Sequence, residues 1–168
     1  FVFHIEKTAD VVVDSLTAEI SGIPSTMELT TGLILAQKTY KLLFRPTYAA
    51  LPSAADSASA EALRCEASVN IPGIVRSHTE DMVTGPGILQ IAIYTHYDYE
   101  EEGTQRKAAK VFHAGINLYH TLKERKSLQW DEEENGYRQA SRSITVEIGS
   151  PLNIDKDGIL NGGSTSTG

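Results

Sequence analysis

Nine consecutive residues, Leu63 to Ile71, read LRCEASVNI and alternate without error: Leu63, Cys65, Ala67, Val69 and Ile71 on one side, Arg64, Glu66, Ser68 and Asn70 on the other. Successive side chains leave a pleated backbone on opposite faces, so a period of two marks a half-buried strand. The pattern sends Cys65, the one cysteine of the chain, inward as a small hydrophobe and Glu66 outward. A nucleophilic thiol needs a base, a cation or a helix N-terminus beside it. Glu66 lies on the other face and would oppose thiolate formation, so Cys65 reads as structural. One cysteine forms no internal disulfide, and no CxxC or clustered Cys/His spacing suggests zinc.

The same logic predicts further strands. Ile88 to Tyr99, ILQIAIYTHYDY, places Leu89, Ile91, Ile93, Thr95, Tyr97 and Tyr99 on one side, and its length suggests a central strand. Phe1 to Leu16, rich in β-branched and aromatic residues, reads as a strand with a bulge. Tyr40, Leu42 and Phe44 alternate with Lys41, Leu43 and Arg45, a strand covered on both faces, and Pro46 marks a bend. Ile144, Val146 and Ile148 form a last strand ended by Pro151.

Two segments predict helices instead. Ser25 followed by Glu28, just after Ile23 and Pro24, is a capping-box signal for a short helix with Met27, Leu33 and Ile34 inward, ending near Gln37. Ala108, Val111, Phe112, Gly115, Tyr119 and Leu122 recur at three- and four-residue spacing, which predicts an amphipathic helix from Thr104 to Lys126. Glu100 to Glu102 near its start and Lys123, Arg125 and Lys126 near its end suit the helix dipole. The order of elements lacks regular βαβ alternation. It points to an α+β fold: a single domain, mostly antiparallel β-sheet packed by one long and one or more short helices.

At 168 residues and 40% hydrophobic, the chain suffices for one core. We place a single domain at residues 1–157, with a mobile loop at 52–62 (small and polar, PSAADSASAEA) and a flexible tail at 158–168. Phe1 at the start, with no initiator Met, reads as a processed or trimmed form. No apolar run approaches the roughly 18 residues of a membrane span, so the sequence predicts a soluble chain.

Fifteen Lys and Arg against twenty-two Asp and Glu give a formal net charge of -7, which argues against wholesale binding to nucleic acid or anionic lipid. Between Thr104 and Lys126, however, six basic residues stand against the single acid Glu124. Catalytic and metal signals are thin. His96 and Asp98 share a strand face, but no nucleophile, phosphate loop or oxyanion hole accompanies them. His113 and His120, seven apart, would be separated by about 10.5 Å of helix rise, too far to share one metal. DKDG at Asp155 to Gly158 lacks the later acid of a calcium loop, because residue 164 is Ser. No catalytic residue, cofactor or metal is assigned.

The succession of segments resembles the globular domain of rhabdovirus matrix proteins. The runs that carry it are FVFHIEKTADVVVDS, a short helix followed by YKLLF, RCEASVNIPG, GILQIAIYTHYDYEE and YRQASRSITVEIG. RCEASVNIP is similar to a cysteine-glutamate strand ending in proline in vertebrate members, and GILQIAIYTHYDYEE to their long strand ending in acidic residues. The resemblance implies a non-enzymatic structural protein that self-associates and bridges the viral nucleocapsid to the inner face of the envelope during virion assembly. Its implied partners are further copies of itself, the nucleocapsid protein or ribonucleoprotein, the envelope membrane and the viral glycoprotein. Its implied location is the virion beneath the envelope, with peripheral membrane association in the host cytoplasm. No PPxY or PSAP motif occurs, and the domain is acidic, features that would be less surprising in a plant-infecting branch.

On this reading the candidate membrane or nucleocapsid contact is Arg106, Lys107, Lys110, Lys123, Arg125 and Lys126, and the candidate self-association loop carries Pro52, Ala55, Asp56 and Ala58. Two alternatives make different expectations. A viral capsid subunit of β-sandwich type requires two packed sheets and no long helix. A small hydrolase using Cys65 or His96 requires a cleft around those side chains.

Overall fold

The fold was obtained as a computed structural model, which describes residues 1–27, 30, 34–51, 60–125, 128–131, 136–139, 145–149 and 151–161. Among the described residues, eleven strands and one short helix follow in the order β1 Val2–Thr8, β2 Val11–Met27, β3 Ile34–Phe44, β4 Thr47–Ala50, β5 Ala60–Glu66, β6 Ile88–Glu101, β7 Thr104–Asn117, α1 Leu118–Glu124, β8 Leu128–Asp131, β9 Gly136–Gln139, β10 Leu152–Ile154 and β11 Ile159–Asn161. They form a five-stranded sheet in the order β11-β10-β1-β5-β4, a four-stranded sheet in the order β3-β2-β6-β7, and the β8-β9 hairpin. Pairing is antiparallel except between β1 and β10, where Ile5 faces Leu152. The architecture is thus mostly antiparallel β, with far less helix than the sequence suggested.

The two larger sheets share one core. Phe3, Ile5, Leu63, Cys65, Leu152 and Ile154 from the five-stranded sheet meet Leu16, Ile20, Leu89, Ile91, Ile93 and Phe112 from the four-stranded sheet. Each set lies at alternate positions of its strand, as a sheet with one buried face requires. Cys65 is fully buried while its neighbour Glu66 is exposed, as the alternation implies. The expected strand at Phe1 to Leu16 is two strands joined at Ala9 and Asp10. The bulge falls in the second of them, between Val13 and Ser15, and leaves Asp14 as the extra residue. β3 is not covered on both faces: Leu42 and Phe44 are half-buried against the core, whereas Leu43 is 69% exposed and Tyr40 43%.

The long helix expected from Thr104 is instead strand β7 as far as Asn117, and only Leu118–Glu124 is helical. β7 pairs with β6 along its whole length, from Ile88↔Asn117 to Glu101↔Thr104. Glu102 and Gly103, with φ of 52° and 76°, close the hairpin, and two successive positive φ values suit the right-handed twist of paired strands. The ladder satisfies the backbone and buries Phe112 and Ala114, whereas an isolated helix begins with a costly nucleus. The capping-box segment is likewise strand: Thr26 pairs with Leu35 and Met27 with Ile34. A cap is worth about 1 kcal/mol, less than a run of ladder bonds with their packing. Glu28 and Leu33 lie outside the described residues.

Near the C-terminus, Val2 N–H donates to Val146 O at 2.9 Å and Ile148 N–H to Val2 O at 3.0 Å. The expected last strand therefore runs beside β1, and β10 resumes just after Pro151 rather than ending there. The tail expected from Gly158 begins with β11. Among the described residues no helix is long and apolar enough to cross a membrane.

Candidate functional site

β2 pairs with β6 only as far as Val11↔Tyr97, so beyond that point β6 and β7 continue alone as a two-stranded ribbon. From Asp98 to the turn it projects about 13 Å. Asp98, Glu100, Glu101, Glu102, Arg106 and Lys107 are all exposed on it. An opposite-charge pair stabilises the arm across its strands, Arg106 with Glu101 at 2.9 Å; Asp98 and Lys107 are opposite in the register without forming an ion pair.

The five candidate contact residues that are described fall into two groups with different duties. Lys110 donates to the backbone carbonyl of Lys156, and its ammonium lies 5.6 Å from the Tyr97 ring centroid. Arg125 donates to Thr145 O at 3.3 Å and Glu147 O at 2.9 Å, tethering the end of α1 to the segment beside β1. Arg106 is paired as above. Lys107 and Lys123 are exposed and make no ion pair among the described residues. From Lys107 to Asn117, β7 spans about 33 Å, and Lys123 lies on α1 beyond that end, so the two cations do not form one compact patch. Lys126 lies outside the described residues, as do Pro52, Ala55, Asp56 and Ala58 of the expected loop; Ala60 to Ala62, assigned to that loop, begin β5.

Arg106, Lys107 and Lys110 also explain themselves locally. β7 is the outer strand of its sheet, and basic side chains on an outer strand deter edge-to-edge pairing. β3, the other outer strand, carries Lys38 and Lys41, while β4 and β11, at the edges of the five-stranded sheet, have only 4 and 3 residues.

Among the described residues, the side chains singled out for catalysis or metal binding are not brought together. Cys65 is 0% exposed, and burial pushes its thiol up to about 12, leaving no thiolate at neutral pH. His96 Nδ1 lies 2.7 Å from Asp14 Oδ1, at the bulge, rather than acting with Asp98. His113 is exposed on β7, whereas His120 sits on α1 between Glu80 at 3.7 Å and Glu124 at 3.2 Å. Asp155 Oδ1 accepts from the N–H groups of Asp157 and Gly158, so DKDG closes its own turn. Among the described residues no group of three or more His, Cys, Asp or Glu could hold a metal ion.

What the sequence reasoning missed is the outer face of the four-stranded sheet. Val12, Leu43, Tyr94 and Val111 are exposed by 44%, 69%, 38% and 45%. Tyr94 and Val111 are opposite each other in the register, and Val12 is opposite His96 on the same face. The floor between them is small or uncharged: Ser15, Thr17, Ala92 and Ala109. One corner is closed, because Gly115 approaches Val83 so tightly that an added Cβ would stand 2.5 Å from its carbonyl oxygen. The available signal was the pair of adjacent apolar residues Val111 and Phe112, one for each face of a strand. The outer face of the five-stranded sheet differs, with His4, Glu6, Arg64 and Glu66 directed to solvent.

No family model, curated protein sequence or solved structure matches this chain.

Proposed function

We propose that this chain is a structural subunit of viral matrix type, which self-associates and bridges a nucleocapsid to the inner face of an envelope. The observation that carries this reading is the exposed ribbon with Lys107 on it, together with a second exposed cation, Lys123, on the helix that follows β7, neither of them in an ion pair among the described residues. Cations so far apart suit an extended anionic surface, a lipid leaflet or a ribonucleoprotein, better than a small ligand. The burial of Cys65, which raises its thiol, speaks against the cysteine form of the hydrolase alternative. A capsid subunit is the second reading, favoured by two sheets on one core and by strand where a long helix was expected.

Flotation with phosphatidylcholine vesicles, with and without phosphatidylserine, separates the two readings at low salt. The matrix reading expects phosphatidylserine-dependent flotation that is lost at high salt and in the Lys107→Glu/Lys123→Glu variant. Arg125→Ala, which loosens a structural tether, should float in proportion to its folded fraction. Absence of flotation at every salt concentration, with closed shells in electron micrographs, would replace the matrix reading by the capsid one.

A further inference from the structure

The geometry points to the open edge of β6 at residues 98–101 as a strand-addition site for an extended, Lys/Arg-rich segment of a partner protein. The inference goes beyond the lipid contact proposed for Lys107 and does not depend on it.

The edge is set by where β2 stops. β2 accompanies β6 only as far as Val11↔Tyr97, whereas β7 follows β6 on to Glu101↔Thr104. Glu102 and Gly103, both at positive φ, make a two-residue turn, and in such a hairpin the flanking pair exchanges both of its backbone hydrogen bonds. Bonded pairs then alternate: Glu101 and Tyr99 direct their N–H and C=O toward β7, and Glu100 and Asp98 direct theirs to the side that β2 has left. Among the described residues no strand pairs with that side. Its backbone donors and acceptors are what an added strand bonds to.

Charge selects the occupant. Asp98 and Glu100 are exposed and make no ion pair among the described residues, and β6 holds no Lys or Arg. Their side chains leave the same face two residues apart, about 7 Å, which is also the spacing of alternate side chains on an added strand. Cations at alternate positions of that strand can therefore meet both acids as directly opposite pairs. Lys107, one strand further, stands roughly 10 Å from the added backbone, about a Debye length away. The intervening position of the added strand falls on the other face, beside Tyr99, which is 38% exposed. Its ring lies 6.2 Å from that of Tyr97, which already holds the Lys110 ammonium at 5.6 Å, so this face accepts the stems and charges of basic side chains. A second copy of the same edge is disfavoured, because acids would oppose acids. The edges of β7 and β3 carry Lys107 and Lys110, and Lys38 and Lys41, and would repel the same partner. Four residues give about 13 Å of contact, so the association is weak and salt-sensitive.

Three synthetic octapeptides serve as probes: alternating Lys-Thr, alternating Glu-Thr, and Lys-Thr with the backbone nitrogen of every lysine methylated, which keeps the charge and removes donors. Each is titrated against the full chain by fluorescence anisotropy at low and high salt, and amide exchange is followed by nuclear magnetic resonance. We expect the unmethylated Lys-Thr peptide to bind at least about tenfold more tightly than either of the others, and to slow exchange at the Asp98 and Glu100 amides. Asp98→Asn/Glu100→Gln should weaken binding at least about tenfold while Tyr99 and Glu101 keep the exchange protection of the ribbon; Glu124→Gln, an acid outside the ribbon, should not weaken it. Methylated and unmethylated peptides binding equally, or binding without protection of Asp98 and Glu100, would overturn strand addition in favour of plain charge attraction. Absence of binding by the Lys-Thr peptide at low salt would overturn the site altogether. Neither failure alters phosphatidylserine-dependent flotation, so this inference and the matrix reading fail separately.

Discussion

Asn117 is the residue where β7 becomes α1, and its replacement should separate two structural duties. Its Oδ1 accepts from His120 N–H at 2.9 Å, capping the helix, while its amide donates to Thr79 O at 2.9 Å and Glu80 O at 3.2 Å, holding the 77–84 segment against the sheet. Loss of the cap costs about 1 kcal/mol. Each lost bond to those exposed carbonyls costs a further 0.5 to 1 kcal/mol or so, because water replaces the donor. Asn117→Ala should therefore lose about 2 to 3 kcal/mol, a fall in Tm of roughly 4 to 12 °C. Asn117→Ser keeps a capping oxygen but cannot reach the loop, and should lose about 1 to 2 kcal/mol. Hydrogen exchange read by mass spectrometry then distinguishes them: amides in the 77–84 segment lose protection in both variants, and those of α1 in Asn117→Ala only. A loss below about 0.5 kcal/mol for Asn117→Ala, with loop protection unchanged, would refute the double role.

Other outcomes follow from individual contacts. Lys7 is 7% exposed and its ammonium lies 2.7 Å from the exposed carboxylate of Glu61; Glu61→Ala should cost about 1 to 3 kcal/mol by stranding a buried cation. Lys7→Met should be neutral or stabilising in the same urea titration, and a large loss there would mean that the charge itself is needed. Cys65 should resist thiol reagents until the chain unfolds, and a rapid stoichiometric reaction in the native state would contradict its burial. Because its folded pKa lies above its unfolded value of 9.0, near 12, stability is full below pH 9 and declines as pH rises toward 12. Urea midpoints measured on either side of pH 9 should show this decline, with a smaller one in Cys65→Ala.

The inward positions of β5 and β6 were legible because each strand has one apolar and one polar side: Leu63 and Cys65 against Arg64 and Glu66, Leu89 to Thr95 against Gln90 to His96. β7 defeated the same reasoning for a physical reason. Its outer side carries Ala109 and Val111, and its inner side carries Lys110, so the alternation is blurred. Ala108, Val111, Phe112 and Gly115 then fit a helical spacing equally well. The decisive local clue was the Glu102-Gly103 turn between two runs of equal length. The candidate cations were recognisable as a cluster in the chain. Their division into tethered and free groups was not, since Lys110 and Arg125 bond to carbonyls 46 and 20 to 22 residues away, contacts that no local pattern encodes.

β1 takes its two neighbours from well-separated parts of the chain, β5 at Ala60–Glu66 on one side and β10 at Leu152–Ile154 on the other. During synthesis the four-stranded sheet, complete by Asn117, can close while the five-stranded sheet still has an open flank. Roughly 90 residues separate β5 from β10, which at 5–20 residues per second leaves β1 half-paired for about 5 to 18 s. Its parallel contact with β10 is the kind of distant pairing that slows folding. For that interval the nascent chain presents Phe3 and Ile5 along an unfinished strand edge, so the yield of native protein depends on how quickly translation delivers Leu152 to Ile154 relative to encounters with other nascent chains.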